Sequence, residues 1–211
     1  MKHFTKTDIN ELTQRKRANL INSVIGYKPA NLIGTISAAK RTNLAIFSSV
    51  VHIGANPPLL GFIMRPAGGV ERHTYENIIE TGVYTINHVH ESFVEKAHYT
   101  SAKFDREVSE FTVCKLTEEY LEHFAAPFVR ESKIKIGLKF AEEIPIRLND
   151  TILIIGEIEH LILPENSSPE IGNLDLIIVE DICISGLDTY HQVRKLETFP
   201  YAKPDNLPDF G

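Results

Sequence analysis

The sequence predicts a mainly β protein whose strands form a closed or nearly closed antiparallel barrel. About seven segments have the alternating or continuously apolar pattern of strands, and few have a helical pattern. Strands and helices do not alternate steadily, as they would around a parallel sheet. The 211 residues, of which 43% are hydrophobic, are enough for one domain with a substantial core.

Local patterns place the elements in chain order. A charged helix begins near Asp8, proline and glycine bound the strands, and an Asn149-Asp150 turn joins two long strands. We expect a charged helical segment at 1–20, the barrel domain at 21–186, and a tail at 187–211 that clasps a second copy of the chain. The predicted strands are 32–37, 44–52, 59–65, 83–89, 131–146, 151–164 and 174–186, and the predicted helices lie within 8–27, 74–82, 90–100 and 117–123.

Composition excludes several classes of function. A net charge of -6, with no basic run longer than Arg15–Arg17, argues against a nucleic-acid surface. Cys114 and Cys183 stand alone, which predicts neither a disulfide framework nor a zinc site. The first 17 residues are polar, and no stretch is long and apolar enough to span a membrane. We therefore expect a cytoplasmic protein without nucleic-acid or membrane partners.

The segment from Lys40 to Ser49 carries polar groups where a buried strand normally carries branched hydrocarbon. Its turn, Lys40-Arg41-Thr42-Asn43, supplies two cations, a hydroxyl and an amide, and the strand after it ends in Ser48 and Ser49. Small and hydroxyl side chains leave room for a flat ligand and offer hydrogen bonds to its polar edge. Taken alone, the segment also fits an ordinary hairpin turn.

The segment from Arg72 to Asn77 predicts a helix start that suits an anion. We expect Thr74 to be the N-cap, Glu76 to lie in the first turn and Gly82 to end the helix. Such a start exposes unpaired backbone N–H groups and a partial positive charge, so with an arginine beside it the site favours phosphate. The alternative interpretation is a surface helix with a solvated arginine.

Taken together, these segments resemble the flavin reductase-like, FMN-binding split-barrel family. The resemblance covers roughly 20–204 and is carried by the order of several motifs. The motifs are TNLAIFSS followed by the Pro57-Pro58 pair, HTYENI before VYTIN, the loop TSAKFDREVSEF, and the closing GLDTYH and PYAKP. The resemblance implies a six-stranded Greek-key split barrel and a homodimer with FMN near the subunit interface. It also implies an oxidoreductase that moves hydride between NAD(P)H and flavin.

The resemblance further implies which residues bind the cofactor. The flavin ring and its pyrimidine edge would contact Thr42, Asn43, Leu44 and Ala45. The ribityl chain and phosphate would lie near Ser48, Ser49, Arg72, Thr74 and Asn77, and a covering loop would supply His98, Thr100, Ser101 and Lys103. Tyr99, Phe104, Tyr190 and His191 are candidates to stack on the ring. No general base is predicted, because the cofactor itself performs the hydride and electron steps.

One position departs from the family pattern and leaves the electron donor open. Many small flavin reductases carry a Gly-Asp-His triplet whose histidine helps to bind nicotinamide, whereas this chain has Asn149, Asp150 and Thr151. One interpretation is a reductase that passes electrons to free flavin, a monooxygenase partner or another acceptor. A second is an FMN-containing electron carrier that does not use NAD(P)H directly. A third is another cofactor, such as haem, on a similar barrel, although no histidine stands where an axial ligand would be specified.

Overall fold

The computed structural model describes residues 1–66, 68–69, 71–165, 167, 172 and 174–210. Its helices are α1 (Lys6–Glu11), α2 (Gln14–Val24), α3 (His73–Thr81), α4 (Val94–Tyr99) and α5 (Glu110–Val113), with a 3-10 turn at Glu91–Phe93. Its strands are β1 (Lys28–Pro29), β2 (Asn31–Ile36), β3 (Thr42–Phe47), β4 (Val51–Ala55), β5 (Pro58–Met64), β6 (Val83–His88), β7 (Glu118–Glu119), β8 (Phe128–Val129), β9 (Lys135–Ile146), β10 (Thr151–Ile162), β11 (Ile182–Ser185) and β12 (Thr189–Gln192).

Seven strands form one antiparallel sheet in the order β3-β2-β6-β9-β10-β5-β4. The sheet curves until β3, at one edge, approaches β5 near the other. There the Ser49 hydroxyl accepts the Ile63 amide at 3.1 Å and donates to the Ile63 carbonyl at 3.3 Å. The rings of Phe47 and Phe62 pack edge to face beside this contact, with centroids 5.0 Å apart. The mainly β class and the nearly closed barrel expected from the sequence are therefore confirmed.

The two faces of the large sheet bury separate apolar clusters. Side chains of successive strand residues point to opposite faces, so Ile33 joins the cluster enclosed by the sheet while Leu32 joins the cluster beneath α4 and α5. Leu44 of β3 packs in this second cluster with Ala97 of α4 and Phe111 of α5. β3 is therefore held between the barrel interior on one face and two short helices on the other.

The sheet has seven strands where six were expected. The chain leaves the sheet at Ser48 and returns at Val51, so the predicted strand at 44–52 is two strands, β3 and β4, at opposite edges. A run of strand-forming residues cannot reveal such a break, because each half fits a strand pattern.

Three other elements differ from their predictions. The helix expected at 117–123 is wrong, since Glu118–Glu119 pairs with Phe128–Val129 as β7 and β8. The strand expected at 174–186 is reduced to β11, which pairs with β1 and β12 in a small separate sheet. The N-terminal helix is two helices, and Asp8 closes a capping box with Thr5.

The segment after β12 contains no helix or strand among its described residues, and its large apolar side chains are exposed. None of the helices in the described part of the chain has the length and apolar character needed to cross a membrane.

Candidate functional site

The candidate site is built around β3 and the break that follows it. β3 is an edge strand, so the side turned away from β2 presents backbone groups that the sheet does not pair. At the break, Ser48 and Ser49 are half-buried. The Ser49 hydroxyl is occupied by Ile63, whereas the Ser48 hydroxyl has no hydrogen bond among the described residues. Ser48 is therefore the hydroxyl at this break that is available to a ligand.

A buried polar network fixes the start of α3 against the sheet. The Asn43 amide donates to the Thr74 hydroxyl at 3.1 Å, and the Asn77 amide donates to the Thr35 hydroxyl at 3.1 Å. Thr35 and Asn43 are cross-strand partners on β2 and β3, and all four side chains are buried. The structure therefore brings Asn43, Thr74 and Asn77 together, but with these side chains directed at one another under the helix.

The prediction that Thr74 is the N-cap of this helix is wrong. The N-cap is Arg72, and α3 begins at His73. Thr74 is drawn inward because its hydroxyl accepts the buried Asn43 amide, a partner that the sequence could not indicate. Gly82 ends the helix as expected, with a φ of 74° that suits glycine.

Arg72 is the N-cap of α3, and Arg65, which directly follows β5, is close enough for its charge to act on Arg72. The Nε and Nη2 atoms of Arg72 donate to the Pro66 carbonyl at 3.1 and 2.7 Å. Partial burial lowers the pKa of Arg72, and the neighbouring charge of Arg65 lowers it further. Neither arginine forms an ion pair within the described residues. Two close cations without a counter-charge favour an anion between them.

The nearby carboxylates are engaged elsewhere. Glu71 pairs with His73 at 2.9 Å, and Glu76 pairs with Arg106 and accepts the Arg72 backbone amide. The first turn of α3 adds unpaired backbone amides and the positive end of the helix dipole. The local balance of charge at Arg65 and Arg72 is therefore positive.

Acidic and hydroxyl groups cover the free edge of β3. The Thr42 hydroxyl lies 2.7 Å from Ser109 Oγ and donates to Glu118 Oε1 at 2.7 Å. The Leu44 backbone amide donates to Glu110 Oε2 at 2.9 Å. Burial raises the pKa of the Glu110 carboxyl, while its bond to the Leu44 amide and the charge of His73 act in the opposite direction. We call Ser109, Glu110 and Glu118 the edge cap.

Sequence reasoning missed the edge cap. Glu110 stands in an acidic stretch, 105–110, in which nothing distinguishes it from the exposed Glu107. The apolar neighbour Phe111 is the one weak signal that this part of the loop turns inward.

His98 lies on α4, on the opposite face of β3 from α3, and Thr100 and Ser101 directly follow that helix. His98 Nδ1 and the Tyr190 hydroxyl are 2.9 Å apart, and burial raises the pKa of Tyr190 to about 12. Thr100 is buried and bonds back to the Ala97 carbonyl at 2.8 Å, whereas Ser101 is exposed. α4 reaches β3 through the cluster that contains Leu44 and Ala97. The two groups of candidates thus flank one strand.

The other aromatic candidates lie in two different places. Tyr99 and Phe104 line an open cleft of about 510 Å³ with Lys96 and Lys115 at its rim. His191 is held in the β11–β12 hairpin, where its Nε2 lies 2.8 Å from Ser185 Oγ. Ala45 is half-buried opposite Ile33.

The Asn149-Asp150-Thr151 segment is a turn between β9 and β10. Asn149 Oδ1 accepts both the Thr151 amide at 3.3 Å and the Thr151 hydroxyl at 2.8 Å. Asp150 has a left-handed φ of 56° and is exposed, as befits a turn residue. Among the described residues, no three His, Cys, Asp or Glu side chains are grouped as a metal site would require.

The chain is similar to a known protein family and to uncharacterized proteins of bacteria. A family model described as "Flavin reductase like domain" matches residues 27–178, a range that includes β3, α3 and α4. An uncharacterized protein of Aquifex aeolicus is 29% identical over 153 residues, covering 70% of this chain and 77% of that protein. One of Halalkalibacterium halodurans is 30% identical over 142 residues, covering 67% of this chain and 68% of that protein.

Solved structures share the whole fold. A Shewanella frigidimarina protein assigned as a flavin reductase with a split-barrel domain is 49% identical, with a TM-score of 0.92 over 96% of this chain and 100% of that one. Nitrilotriacetate monooxygenase component B of Bacillus cereus is 23% identical, with a TM-score of 0.83 over 94% and 98% of the two chains. Flavoredoxin of Desulfovibrio vulgaris is 24% identical, with a TM-score of 0.73 over 84% and 92%. The resemblance seen in the sequence is confirmed, and the chain belongs to the flavin reductase-like domain family.

Proposed function

We propose that this protein binds FMN and acts as an NAD(P)H-dependent flavin oxidoreductase. In this role it accepts hydride from NAD(P)H and passes electrons to free flavin, a monooxygenase partner or another acceptor. Membership of the flavin reductase-like family supports an oxidoreductase that works with flavin. The choice of FMN rests on the chain's own anion site.

The observation that carries the proposal is the unneutralised positive charge at the start of α3. Arg65 and Arg72 repel each other in the absence of an anion, and the neighbouring carboxylates are engaged elsewhere. A terminal phosphate would receive the two guanidinium groups, the first backbone amides of α3 and the Ser48 hydroxyl. FMN offers a phosphate to these donors, whereas riboflavin lacks the phosphate and would leave them without an acceptor.

The rest of the cofactor would follow β3 away from this anion site. Asn43, Thr74 and Asn77 would hold the start of α3 in position, while Ser49 holds the chain near Ile63. The backbone from Thr42 to Ala45 would meet the polar edge of the ring, with His98, Thr100 and Ser101 on the α4 side. Bound FMN supplies the hydride and electron chemistry, so the chain's residues bind, orient and shield it. We assign no side chain as a general base.

Comparing FMN with riboflavin tests the cofactor assignment. Apo-protein titrated with each, followed by flavin fluorescence, should bind FMN about 100-fold more tightly, because two charge-assisted contacts contribute roughly 1.5 kcal/mol each. Equal affinities would remove the phosphate site from the account. Failure to bind either flavin would overturn the FMN assignment.

A flavin carrier is the second candidate, favoured by the turn at Thr151. The Thr151 hydroxyl is tied to Asn149, in a position where many small flavin reductases have a histidine for nicotinamide. Proteins named flavoredoxin share this fold. A carrier would hold FMN that dithionite reduces and that neither NADH nor NADPH reduces.

We also propose that the protein is a cytoplasmic homodimer. Val51 and Ile53 of the edge strand β4 are exposed, as are the large apolar side chains beyond β12. Burial against a second copy would remove this apolar surface from water.

A further inference from the structure

The free edge of β3 is covered by a side chain where a neighbouring strand would normally pair. In an antiparallel pair, residues that bond to the partner strand alternate with residues whose amides point away. The Leu44 amide donates to Glu110 and therefore points away from β2. By the same alternation, the amides of Thr42 and Ile46 face this edge as well.

Glu110 is an unusual group to find in this place. The residue is 5% exposed, and its helix packs Phe111 and Cys114 into the same apolar cluster as Leu44. It forms no ion pair among the described residues. Burying a carboxyl that has no ion-pair partner lowers stability, and Glu110 is held in this place by the bond that it accepts from the Leu44 amide.

We propose that Glu110 is a positioning residue for the flavin, and that its carboxyl fixes the height and tilt of the β3 edge against which the polar edge of the ring lies. This inference rests on the proposed function. The carboxyl accepts the hydrogen bond of the Leu44 amide. The backbone amides of Thr42 and Ile46, which face the same edge, then remain for the ligand. Ser109 and Glu118 hold Thr42 at the beginning of the same edge.

The inference separates two roles among the site's residues. The anion site at Arg65 and Arg72 determines whether the phosphate binds, whereas Glu110 determines how the ring is seated. Loss of Glu110 should therefore weaken FMN and riboflavin by similar factors, while loss of an arginine weakens FMN alone.

The test compares Glu110→Ala and Glu110→Gln with the matched control Glu122→Ala. Glu122 carries a carboxyl on a nearby stretch of chain, but its side chain is 88% exposed and pairs with the neighbouring His123. Hydrogen exchange of the Leu44 amide is read by NMR in the apo-protein, and FMN and riboflavin affinities are read by fluorescence. We expect Glu110→Ala to raise the Leu44 exchange rate and weaken both flavins about 10-fold. Glu110→Gln, which keeps an acceptor oxygen, should restore both within about threefold.

The outcomes distinguish this inference from the proposed function. Faster exchange at Leu44 with unchanged flavin affinities would leave Glu110 a purely structural residue and overturn the inference. Glu110→Gln behaving like Glu110→Ala would also overturn it, because the acceptor oxygen would then not be the operative group. A wild-type protein that binds neither flavin would contradict the proposed function itself. If Glu110→Ala does not fold, Glu110→Asp replaces it, because its shorter side chain withdraws the carboxylate from the Leu44 amide. Faster Leu44 exchange with weaker binding of both flavins would support the inference, and faster exchange with unchanged flavin affinities would overturn it.

Discussion

At the scale of single residues, the site depends on charges that lack their usual partners. Within the part of the chain that the structure describes, Arg65, Arg72 and Glu110 form no ion pair, although the charge of His73 acts on the Glu110 carboxyl. Charges placed in this way lower the stability of the empty protein and strengthen the binding of a complementary ligand. The neighbouring Glu71–His73 and Glu76–Arg106 pairs, by contrast, are closed within the chain, so we propose Arg65 and Arg72 as the charges that bind the anion.

Replacement of Arg72 should selectively weaken the phosphorylated flavin. We expect Arg72→Ala to reduce FMN affinity about 10-fold or more, because a charge-assisted contact contributes roughly 1.5 to 3 kcal/mol. Riboflavin affinity should not change. Fluorescence titration measures both, with the exposed Arg147→Ala in the β9–β10 turn as control. A folded Arg72→Ala protein with unchanged FMN affinity would place the phosphate elsewhere.

Glu180 should contribute stability that is lost in acid. Its bonds to Lys133 and His90 lower the pKa of the carboxyl from 4.5 to about 2. Because the folded-state pKa is depressed, the contribution is full above pH 4.5 and disappears as the pH falls towards 2. Glu180→Gln should lower Tm at neutral pH and flatten the loss of Tm across this window. The exposed Glu122→Gln is the control, and parallel Tm curves for wild type and Glu180→Gln would contradict the assignment.

At the scale of elements, the break between β3 and β4 brings together the parts of the proposed site. A continuous strand at 44–52 would leave no gap at Ser48 and Ser49 and would keep β3 and β4 on one edge. The crossing chain instead brings Ser49 against Ile63, just before Arg65 at the end of β5. The proposed phosphate donors and the proposed ring-binding edge therefore come from β3, β5 and α3 and the turns beside them.

The sequence could predict those parts of the fold whose signals are local. Gly82 ends α3 through its own backbone freedom, and the Asn149-Asp150 turn follows from its residues. The inward turn of Thr74, the break after Phe47 and the cover of β3 by Glu110 depend on partners 14 to 66 residues away. Local propensity does not depend on such distant partners. The sequence therefore does not indicate the contact of Glu110 with Leu44, and it wrongly predicts Thr74 as the N-cap of α3.

Close packing between β6 and β10 gives a sharp test of the barrel interior. A Cβ atom at Gly156 would overlap the Tyr84 hydroxyl, which is buried and has no hydrogen-bond partner among the residues that the structure describes. Gly156→Ala should lower the free energy of unfolding by about 1 to 3 kcal/mol, since overpacking forces neighbours from their places. Urea denaturation measures this, with Gly54→Ala as control, because a Cβ at Gly54 meets only ordinary contact at 3.6 Å. Tyr84→Phe should partly rescue Gly156→Ala, and an undiminished loss in the double variant would contradict this packing.

At the scale of the whole molecule, two regions expose apolar side chains: the edge strand β4 and the segment beyond β12. The edge strand β4 exposes Val51 and Ile53, and beyond β12 Phe199 and Tyr201 are 81% and 85% exposed. Exposed aromatic side chains in such a segment favour contact with another surface. The proposed homodimer would cover both regions.

Light scattering at micromolar concentration should give the mass of two chains. Phe199→Ser together with Tyr201→Ser should shift the equilibrium towards one chain, because their burial would contribute to the interface. Leu148→Ser, an exposed apolar residue in the β9–β10 turn, is the matched control. A wild-type monomer with FMN bound would contradict the homodimer.

The central claim is that this protein binds FMN and reduces it with a nicotinamide nucleotide. The direct measurement is the visible absorbance of the FMN-loaded protein during anaerobic addition of NADH and then NADPH, with dithionite added last. We expect the flavin bands to bleach with one or both nucleotides before dithionite is added, which would also name the donor. Bands that persist under both nucleotides and bleach only with dithionite would contradict the reductase and make the protein a flavin carrier.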